Sequence, residues 1–505
     1  MPLHHASFWY LFILIILNQF IWIINGCTSS IQYFSTPNEL FTNGLLNAKP
    51  GDCLILLDGI YEYNAAINIK TSDISIKAET LGGVIFIPST TGISFKFESS
   101  ASNVLFEGFQ FVNGYSVDLL NIIDVSGSNN TFSELNFYNM TATKYINIKA
   151  PTQFNTIIHC NFEYKPAEAP SGNLIEINAD GKVIGYHVIR YCSFSNMAGL
   201  GGDYGNEPIR IGESTESTFI SRTIVEFCVF NNTGLGDSES VSIKSNENLV
   251  RYSTFTSNQG AMLSFRNCNY NVAYGNFFLG AGGCRIKQAN NVFIYNNYFE
   301  NSGYAREHTY PIEFRNLSDV SEPYYLYRIN VTLQFNTFVN SEYIELDTVQ
   351  KFNNSWSNNI FYKSDDNLGY LFDGSTIGSS FLSNIYFGIL TDSNNNASFA
   401  SVSRSELVYS DPLLVRNSYD YFQPDMDSPA THSANSNSSN FPIFDIPVLD
   451  DDPNIMLDIS GRIRSADGNK DIGCSQNDAY GTVSNIPRSI YNTGTSYKLT
   501  FNHRD

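Results

Sequence analysis

The sequence predicts an all-β fold, a right-handed parallel β-helix with a C-terminal capping region, from three observations. A short pattern recurs along the chain: an aliphatic run, a small or polar residue, then Phe and a turn. Its copies lie roughly 22 to 39 residues apart, a period of solenoids rather than of one compact sheet. Charged residues make up only 15% of the chain, and long amphipathic helical patterns are missing from the sequence.

The copies of this pattern define the extent of the solenoid. The clear copies occupy residues 104–111, 132–137, 157–162, 189–194, 225–230, 250–255, 272–277 and 294–299. Weaker copies end at Phe338, Phe361 and Phe387. A coil of about 22 residues cannot bury its apolar face alone, so we expect coils to stack with strands about 4.8 Å apart and the Phe residues to form an internal stack.

Three of the cysteines are expected to serve packing rather than cross-linking. Eight cysteines are too few for a disulfide framework in a chain of 505 residues, and none forms a C-x-x-C pair, so a zinc site is not indicated. Cys160, Cys192 and Cys228 occupy the same place in successive copies of the pattern. We predict that they form a column of buried, reduced thiols.

The N-terminus is typical of a secretion signal, predicted over residues 1–26. The apolar run 8–17, extended by 20–24, precedes small residues from Gly26 onwards, where cleavage could occur. An uncleaved anchor is the alternative. We therefore expect a secreted, extracellular protein that does not contact the membrane once the signal is removed.

Two further parts follow the signal. The β-helix is predicted over residues 30–400, opened by a turn at 50–52 (Pro-Gly-Asp) before its first long strand. The repeating pattern decays after that, so residues 401–505 are predicted to form the C-terminal capping region.

The net charge of the chain restricts the class of partner that it can bind. The net charge of −20 argues against nucleic acid, which requires a basic surface, so an acidic sugar polymer would have to be held by local cations. We expect a monomer.

Candidate N-glycosylation sites that agree with secretion are Asn129, Asn139, Asn231, Asn316, Asn330, Asn353, Asn396 and Asn437.

One stretch concentrates residues that carry chemistry. Asp237 and Glu239 are acids that can hold a divalent cation, and Lys244 follows them in the same strand-like segment. Arg266 lies 22 positions after Lys244, about one short coil. The lysine and the arginine are therefore expected to project from adjacent coils on one face.

These residues belong to segments that resemble the family six polysaccharide lyases, which include alginate lyases and chondroitinase B. Residues 206–212 (NEPIRIG) are similar to the N-G-x-E-x-I-R-I-G segment of that family. The other matching segments are 50–59, 240–245, 258–260, 265–266 and 275–280. The resemblance covers most of residues 40–300.

The resemblance implies roles for individual residues. It makes Lys244 the Brønsted base and Arg266 the residue that assists the leaving group. It makes Asp237 and Glu239 calcium ligands, with Asn206 as the third. Ca²⁺ is the cofactor so implied, because an ion on the uronate carboxylate would make the proton at C5 easier to remove.

The resemblance also implies a bend in the strand. Glu239 and Lys244 have opposite parity, so in a straight strand they would face opposite sides. A turn or bulge near Ser240 would bring them to one side.

The chain departs from the family pattern after the arginine. The family commonly has R-H-G where this chain has Asn267 and Cys268 after Arg266, and one extra residue precedes the arginine. Both departures bear on substrate preference. Arg210 and Arg285 are candidates for binding substrate carboxylates, with structural ion pairing as the alternative.

Three hypotheses about function follow. The leading one is a secreted, calcium-dependent lyase acting on a uronate-containing polysaccharide, such as alginate or a glycosaminoglycan of the dermatan or chondroitin sulfate type. The second is a non-catalytic glycan-binding or extracellular-matrix β-helix. The third is a glycoside hydrolase, which requires a pair of carboxylates flanking the scissile bond.

Overall fold

The structure of the 505-residue chain is a computed structural model. The structure describes residues 27–89, 91–115, 121–199, 205–256, 260–303, 310–315, 330–346, 353–364, 369–374, 376, 378–389, 407–435, 457–464 and 469–497. The predicted signal (1–26), residues 258–259 of the family segments and the sequons at Asn316, Asn396 and Asn437 lie outside these ranges.

Short strands account for nearly all regular structure in the described ranges. Up to residue 199 they are β1 (Ile31–Phe34), β2 (Cys53–Leu56), β3 (Gly59–Tyr61), β4 (Ala65–Ile69), β5 (Ser75–Ala78), β6 (Val84–Phe86), β7 (Ile93–Phe97), β8 (Leu105–Glu107), β9 (Phe109–Tyr115), β10 (Asn121–Val125), β11 (Thr131–Ser133), β12 (Asn136–Thr141), β13 (Lys144–Ile148), β14 (Thr156–Ile158), β15 (Asn161–Glu163), β16 (Ile175–Ile177), β17 (Val188–Arg190) and β18 (Ser193–Ser195). From residue 205 to 303 they are β19 (Ile209–Ile211), β20 (Ile224–Glu226), β21 (Val229–Asn231), β22 (Glu239–Ile243), β23 (Leu249–Arg251), β24 (Thr254–Thr256), β25 (Met262–Arg266), β26 (Asn269–Tyr274), β27 (Phe277–Leu279), β28 (Cys284–Lys287), β29 (Asn290–Tyr295) and β30 (Tyr298–Glu300). The remainder are β31 (Ile312–Arg315), β32 (Val331–Gln334), β33 (Thr337–Val339), β34 (Ile344–Leu346), β35 (Asn354–Ser357), β36 (Ile360–Tyr362), β37 (Phe372–Gly374), β38 (Ser379–Leu382), β39 (Asn384–Phe387), β40 (Leu407–Tyr409), β41 (Leu414–Arg416) and β42 (Phe422–Pro424).

These strands build three long parallel sheets. Sheet 1 has 14 strands, from β1 and β2 through every third strand to β38, and sheet 2 likewise has 14, from β3 to β40. Sheet 3 has 12 strands, from β4 to β37. Each inner coil contributes a strand to each sheet and pairs with the coils on either side, so the predicted parallel β-helix is confirmed.

A stack of aromatic rings fills the interior along sheet 2. Ring centroids of successive members are 4.5 to 5.3 Å apart. The stack consists of Phe111, Phe137, Phe162, Phe194, Phe230, Phe255, Phe278, Phe299, Phe338, Phe361 and Tyr386. The spacing is that of β-strands, so stacking coils sets the ring separation.

The predicted ladder is confirmed with two corrections. Phe278 rather than Phe277 joins the stack, because Phe277 points outwards and packs on Tyr421 of the C-terminal region. Tyr386 rather than Phe387 joins it at the far end. The thiols of Cys160, Cys192 and Cys228 are reduced and fully buried, as predicted.

The first coil is fastened at its N-terminal end. Cys27, the first described residue, forms a disulfide with Cys53 at the start of β2. Two consecutive short helical segments, Glu39–Gly44 and Leu45–Asn47, then bury Leu40 and Phe41 against the core. A third helical turn, Ser214–Glu216, follows β19. Among the described residues, no helix has the length and apolarity needed to cross a bilayer.

The C-terminal region runs back along the side of the solenoid. The β41–β42 hairpin is antiparallel, and the backbone N–H of Phe422 donates to the hydroxyl of Tyr298. Further on, the guanidinium of Arg488 lies over the ring of Phe227, and the N–H of Ser496 donates to Glu134. The described part of this region thus lies along the coils, and its role as a cap over the solenoid end stays a prediction.

Candidate active site

Lys244 and Arg266 lie side by side on the outer face of sheet 3. Ile243 of β22 pairs with Phe265 of β25, and both side chains enter the core. The next residue of each strand therefore points outwards, on consecutive coils about 4.8 Å apart. The backbone N–H of Lys244 still donates to Ile211 of the preceding coil, at 2.7 Å, which fixes the position of the lysine.

A bulge turns Glu239 towards the same side. Glu239 pairs with Met262 but Val241 pairs with Leu263, so Ser240 is an extra residue in β22. Its hydroxyl lies 2.8 Å from that of Thr233 in the interior. The predicted bulge near Ser240 is confirmed, and it places residues of opposite parity on one face.

Three carboxylates meet beside Lys244. Each of Glu207, Asp237 and Glu239 is buried, and each offers an oxygen within 4.8 Å of the other two. Glu207 lies two residues before β19, and Asp237 lies two residues before β22, so neighbouring coils supply the three acids. Backbone N–H groups of Gly205 (2.7 Å) and Glu239 (3.1 Å) hold the carboxylate of Asp237.

The electrostatics of the cluster favour a cation. Burial, together with the charges of Glu207 and Glu239, raises the pKa of Asp237 to about 8. Burial and the charge of Glu239 raise the pKa of Glu207. Burial would also raise the pKa of Glu239, but the guanidinium groups of Arg266 and Arg285 outweigh it and lower this pKa to about 2. A cation among the three oxygens would stabilise the fully ionised cluster.

Sequence reasoning missed Glu207 as a member of this cluster. The signal was present, because the glutamate of the family segment lies three residues before its arginine, as Glu207 lies before Arg210. Asn206, the residue predicted as a ligand, is fully buried, and its side-chain oxygen accepts a hydrogen bond from the N–H of Gly172 at 3.1 Å. Its role as a ligand stays a prediction.

The surroundings of Lys244 suit a base. Its side chain is 9% exposed, and burial, then the charge of Arg266, lowers the pKa of the amine. Gly212 lies under it on the preceding coil with φ +80°. A Cβ at Gly212 would come within 2.9 Å of the Cβ of Ser245 and 3.0 Å of the carbonyl carbon of Lys244, so only glycine leaves room for this packing.

Arg266 is held by the acid cluster. Its Nη1 lies 3.2 Å from Oε1 of Glu239, and its side chain is 24% exposed, so it reaches the surface. Asn267, which stands where the family has histidine, adopts φ +52°, a left-handed conformation that asparagine tolerates. Cys268, in place of glycine, is buried in the core.

Arg210 and Arg285 are both engaged by protein carboxylates. Arg285 is 5% exposed, and its Nε donates to Glu313 at 2.6 Å. Arg210 donates to Glu176 at 2.6 Å and Glu213 at 2.7 Å. These contacts favour the structural alternative for Arg285, whose charge supports Glu239, while Arg210 keeps a partly exposed side chain.

The site can perform chemistry that needs a cation, a base and a neighbouring guanidinium on one surface. The three carboxylates offer hard oxygen ligands, which suit calcium. One oxygen of each lies within 4.8 Å of the other two, so the carboxylates form one cluster rather than a pair on opposite sides of a bond, as hydrolysis requires. The arrangement therefore favours elimination over hydrolysis.

Comparison with known proteins identifies the class. The parallel β-helix is similar in fold to the PL6 family alginate lyase AlyGC, which superposes with a TM-score of 0.67 at 20% identity. The chondroitinase B family model matches residues 36–351. The chain belongs to the chondroitinase B family, and the predicted membership of the family six polysaccharide lyases is confirmed.

Further solved structures share the fold. A mannuronic acid specific family 6 lyase from human gut microbiota has 21% identity and a TM-score of 0.57, covering 76% of this chain and 92% of that one. A PL6 alginate lyase in complex with a trisaccharide has 18% identity and a TM-score of 0.61, with 79% and 92% covered. The match to AlyGC covers 79% of this chain but only 55% of AlyGC. None of the curated proteins matches the chain.

Proposed function

We propose that the protein is a secreted, calcium-dependent lyase that cleaves a uronate-containing polysaccharide by β-elimination. The observation that carries the proposal is the position of Lys244 and Arg266 on consecutive coils, beside the three-carboxylate cluster. A base and a guanidinium on one surface can act on the adjacent C5 and C4 positions of one sugar ring. Family membership supports the same reaction class.

The carboxylates of Glu207, Asp237 and Glu239 would hold the calcium ion, with Asn206 as a further candidate ligand. The donor set fits, because it is buried, made of hard oxygens and short of compensating charge near Asp237. The bound ion would supply neutralisation of the uronate carboxylate, which makes the C5 proton more acidic.

Lys244 acts as the general base. Its lowered pKa increases the neutral fraction near neutral pH, so its Nζ can accept the C5 proton of the uronate. Arg266 then stabilises the charge that develops as the bond from C4 to the glycosidic oxygen breaks, and its planar fork suits carboxylate or oxygen acceptors. The leaving oxygen takes up a proton from solvent water. The products are a saturated fragment with a new reducing end and a fragment whose new non-reducing end carries a C4–C5 double bond.

The relatives and the local charge both support an acidic polysaccharide as the substrate. The similar structures are described as alginate lyases, and one as mannuronic acid specific. A net charge of −20 gives no long-range attraction for a polyanion, so the cations of sheet 3 must hold it locally. Alginate is therefore the first polymer to test, with dermatan and chondroitin sulfate next.

Secretion fits the chemistry of the first coil. The Cys27–Cys53 disulfide is typical of proteins that fold in an oxidising compartment. The apolar N-terminal run and the sequons support the same route.

The test is a screen of alginate, polymannuronate, polyguluronate, dermatan sulfate and chondroitin sulfate for ultraviolet-absorbing unsaturated products. We expect product from at least one polymer, loss of activity on calcium chelation, and recovery when calcium is returned. Lys244→Ala should lower kcat by about 10²- to 10⁴-fold while the calcium-induced rise in Tm is retained. Full activity of this variant would remove the proposed base.

The non-catalytic alternative rests on Asn267 in the place of the family histidine. It predicts binding to a polyuronate without any unsaturated product across the whole panel. Release of reducing ends without ultraviolet absorbance would instead indicate a hydrolase.

A further inference from the structure

A buried lysine lies in the coil that precedes the coil carrying Glu207. Lys165 lies in the turn after β15 and has no exposed surface. Its Nζ donates to the carbonyl of Thr143 at 2.9 Å and to that of Gly172 at 2.5 Å. The lysine thus joins the turn of the preceding coil to the segment that enters β16.

That segment is hydrogen-bonded to the residues around Glu207 on the next coil. The N–H of Gly172 donates to the side-chain oxygen of Asn206 at 3.1 Å, and the N–H of Leu174 donates to the carbonyl of Glu207 at 3.1 Å. One residue earlier, Gly205 donates to Asp237. Hydrogen bonds therefore run from the ammonium group through one coil to two members of the cluster.

The packing of Gly172 shows how closely this segment is set. A Cβ at Gly172 would lie 2.5 Å from both the carbonyl oxygen and Cγ2 of Thr143. The backbone at Gly172 therefore packs tightly against Thr143, whose carbonyl also accepts a hydrogen bond from Lys165. Removal of the ammonium group would release two buried carbonyls at this contact.

We propose that Lys165 is a positioning residue for the calcium site, because it holds the backbone that orients Asn206 and Glu207. This inference rests on the proposed calcium site. Residues that hydrogen-bond to metal ligands and fix their orientation typically contribute 10- to 100-fold to metal affinity. Lys165 touches neither the substrate nor the ion in this arrangement.

Positioning and simple charge predict opposite results. A cation near Glu207 repels Ca²⁺, so a purely electrostatic role would make calcium bind more tightly when Lys165 is neutralised. A positioning role makes calcium bind more weakly. A purely structural role would lower stability and leave the affinity of the folded protein unchanged.

The chain offers a matched control in Lys363. This lysine is also buried, directly follows a strand of sheet 2, and donates from Nζ to the carbonyl of Ser341 at 2.6 Å. It lies five coils further along than Asp237, about 24 Å away at β-strand spacing. Lys363→Met should therefore cost stability without changing calcium binding.

The experiment is calorimetric titration of calcium into the chelator-treated full-length chain, with the calcium-induced shift in Tm as a second readout. Lys165→Met should weaken calcium binding by about 10-fold or more, and Lys363→Met should keep the wild-type Kd. Lys165→Gln, which retains an N–H donor group on a shorter, neutral side chain, should give an intermediate Kd. This Kd is the test of the proposal if Lys165→Met does not fold.

The outcomes separate this inference from the proposed function. Unchanged or tighter calcium binding in folded Lys165→Met or Lys165→Gln overturns the positioning role while the calcium site stands. Equal weakening in Lys363→Met overturns it as well, because the effect would then be global. Failure of the wild-type protein to bind calcium overturns the site itself.

Discussion

Calcium binding should depend steeply on pH between 6 and 8. The pKa of Asp237 is raised to about 8 by burial and by its two acidic neighbours, so the carboxyl is largely protonated at pH 6 in the calcium-free protein. A carboxyl group must be ionised to bind calcium, so binding has to expel this proton. With a pKa of about 8, about 1% of Asp237 is ionised at pH 6 and half at pH 8.

The magnitude follows from these fractions. The calcium Kd should fall by tens of fold from pH 6 to pH 8, which corresponds to about 2 kcal/mol of binding free energy. About one proton should be released per calcium at pH 6.5. Glu207, whose pKa is also raised, adds to the effect in the same direction.

The direction in which the stability of the calcium-free protein changes with pH is also defined. Because the folded-state pKa of Asp237 lies above its ordinary value of 3.8, ionisation destabilises the calcium-free fold progressively as pH rises from about 4 to about 8. Calcium removes this penalty. The difference in Tm between the calcium-loaded and calcium-free protein should therefore widen from pH 6 to pH 8.

The assay is calorimetric titration at several pH values in buffers of different ionisation enthalpy, which counts the protons released. Asp237→Asn is the control, because it cannot exchange this proton, so its weaker binding should vary less with pH. A calcium affinity that is the same at pH 6 and pH 8, with no proton release, would refute the reasoning.

Three further predictions concern packing. Gly212→Ala should lower kcat by more than its loss of thermal stability alone would explain, because it forces an alanine in a left-handed backbone conformation against the backbone of Lys244. Steady-state kinetics and thermal melts will compare the two effects. Phe230→Ala should lower the free energy of unfolding by about 3 to 5 kcal/mol, measured by denaturant titration, because it opens the stack between Phe194 and Phe255; a loss below 1 kcal/mol would contradict the role given to the stack. Arg488→Ala should lower the free energy of unfolding by about 0.5 to 2 kcal/mol in the same denaturant titration, because it removes the cation–π contact with Phe227, and it should leave kcat unchanged.

The repeating part of the fold could be predicted because its signal is local. Each coil repeats the same apolar run, and burial demands that equivalent rings stack. The register of individual rings was harder, since Phe277 and Phe278 are adjacent and only one can face inwards. Phe277 is covered from outside by Tyr421, about 140 positions later, and that distant contact is invisible in a local pattern.

The site could be predicted in outline for a different reason. Lys244 and Arg266 are separated by one coil length, so the solenoid itself aligns them. The bulge at Ser240 came from family resemblance, because β22 shows no local sign of an extra residue. Glu207 and Arg285 depend on how turns of different lengths fold over the sheet, which periodicity alone does not specify.

The return path of the C-terminal segment has a consequence for biosynthesis. The ring of Phe227 is covered by Arg488, which leaves the ribosome about 260 residues later, or roughly 13 to 50 s at ordinary elongation rates. During that interval the early coils are assembled but still bare on one flank, an opportunity for chaperones to bind. Premature termination near the end of the message would thus harm coils encoded near its beginning.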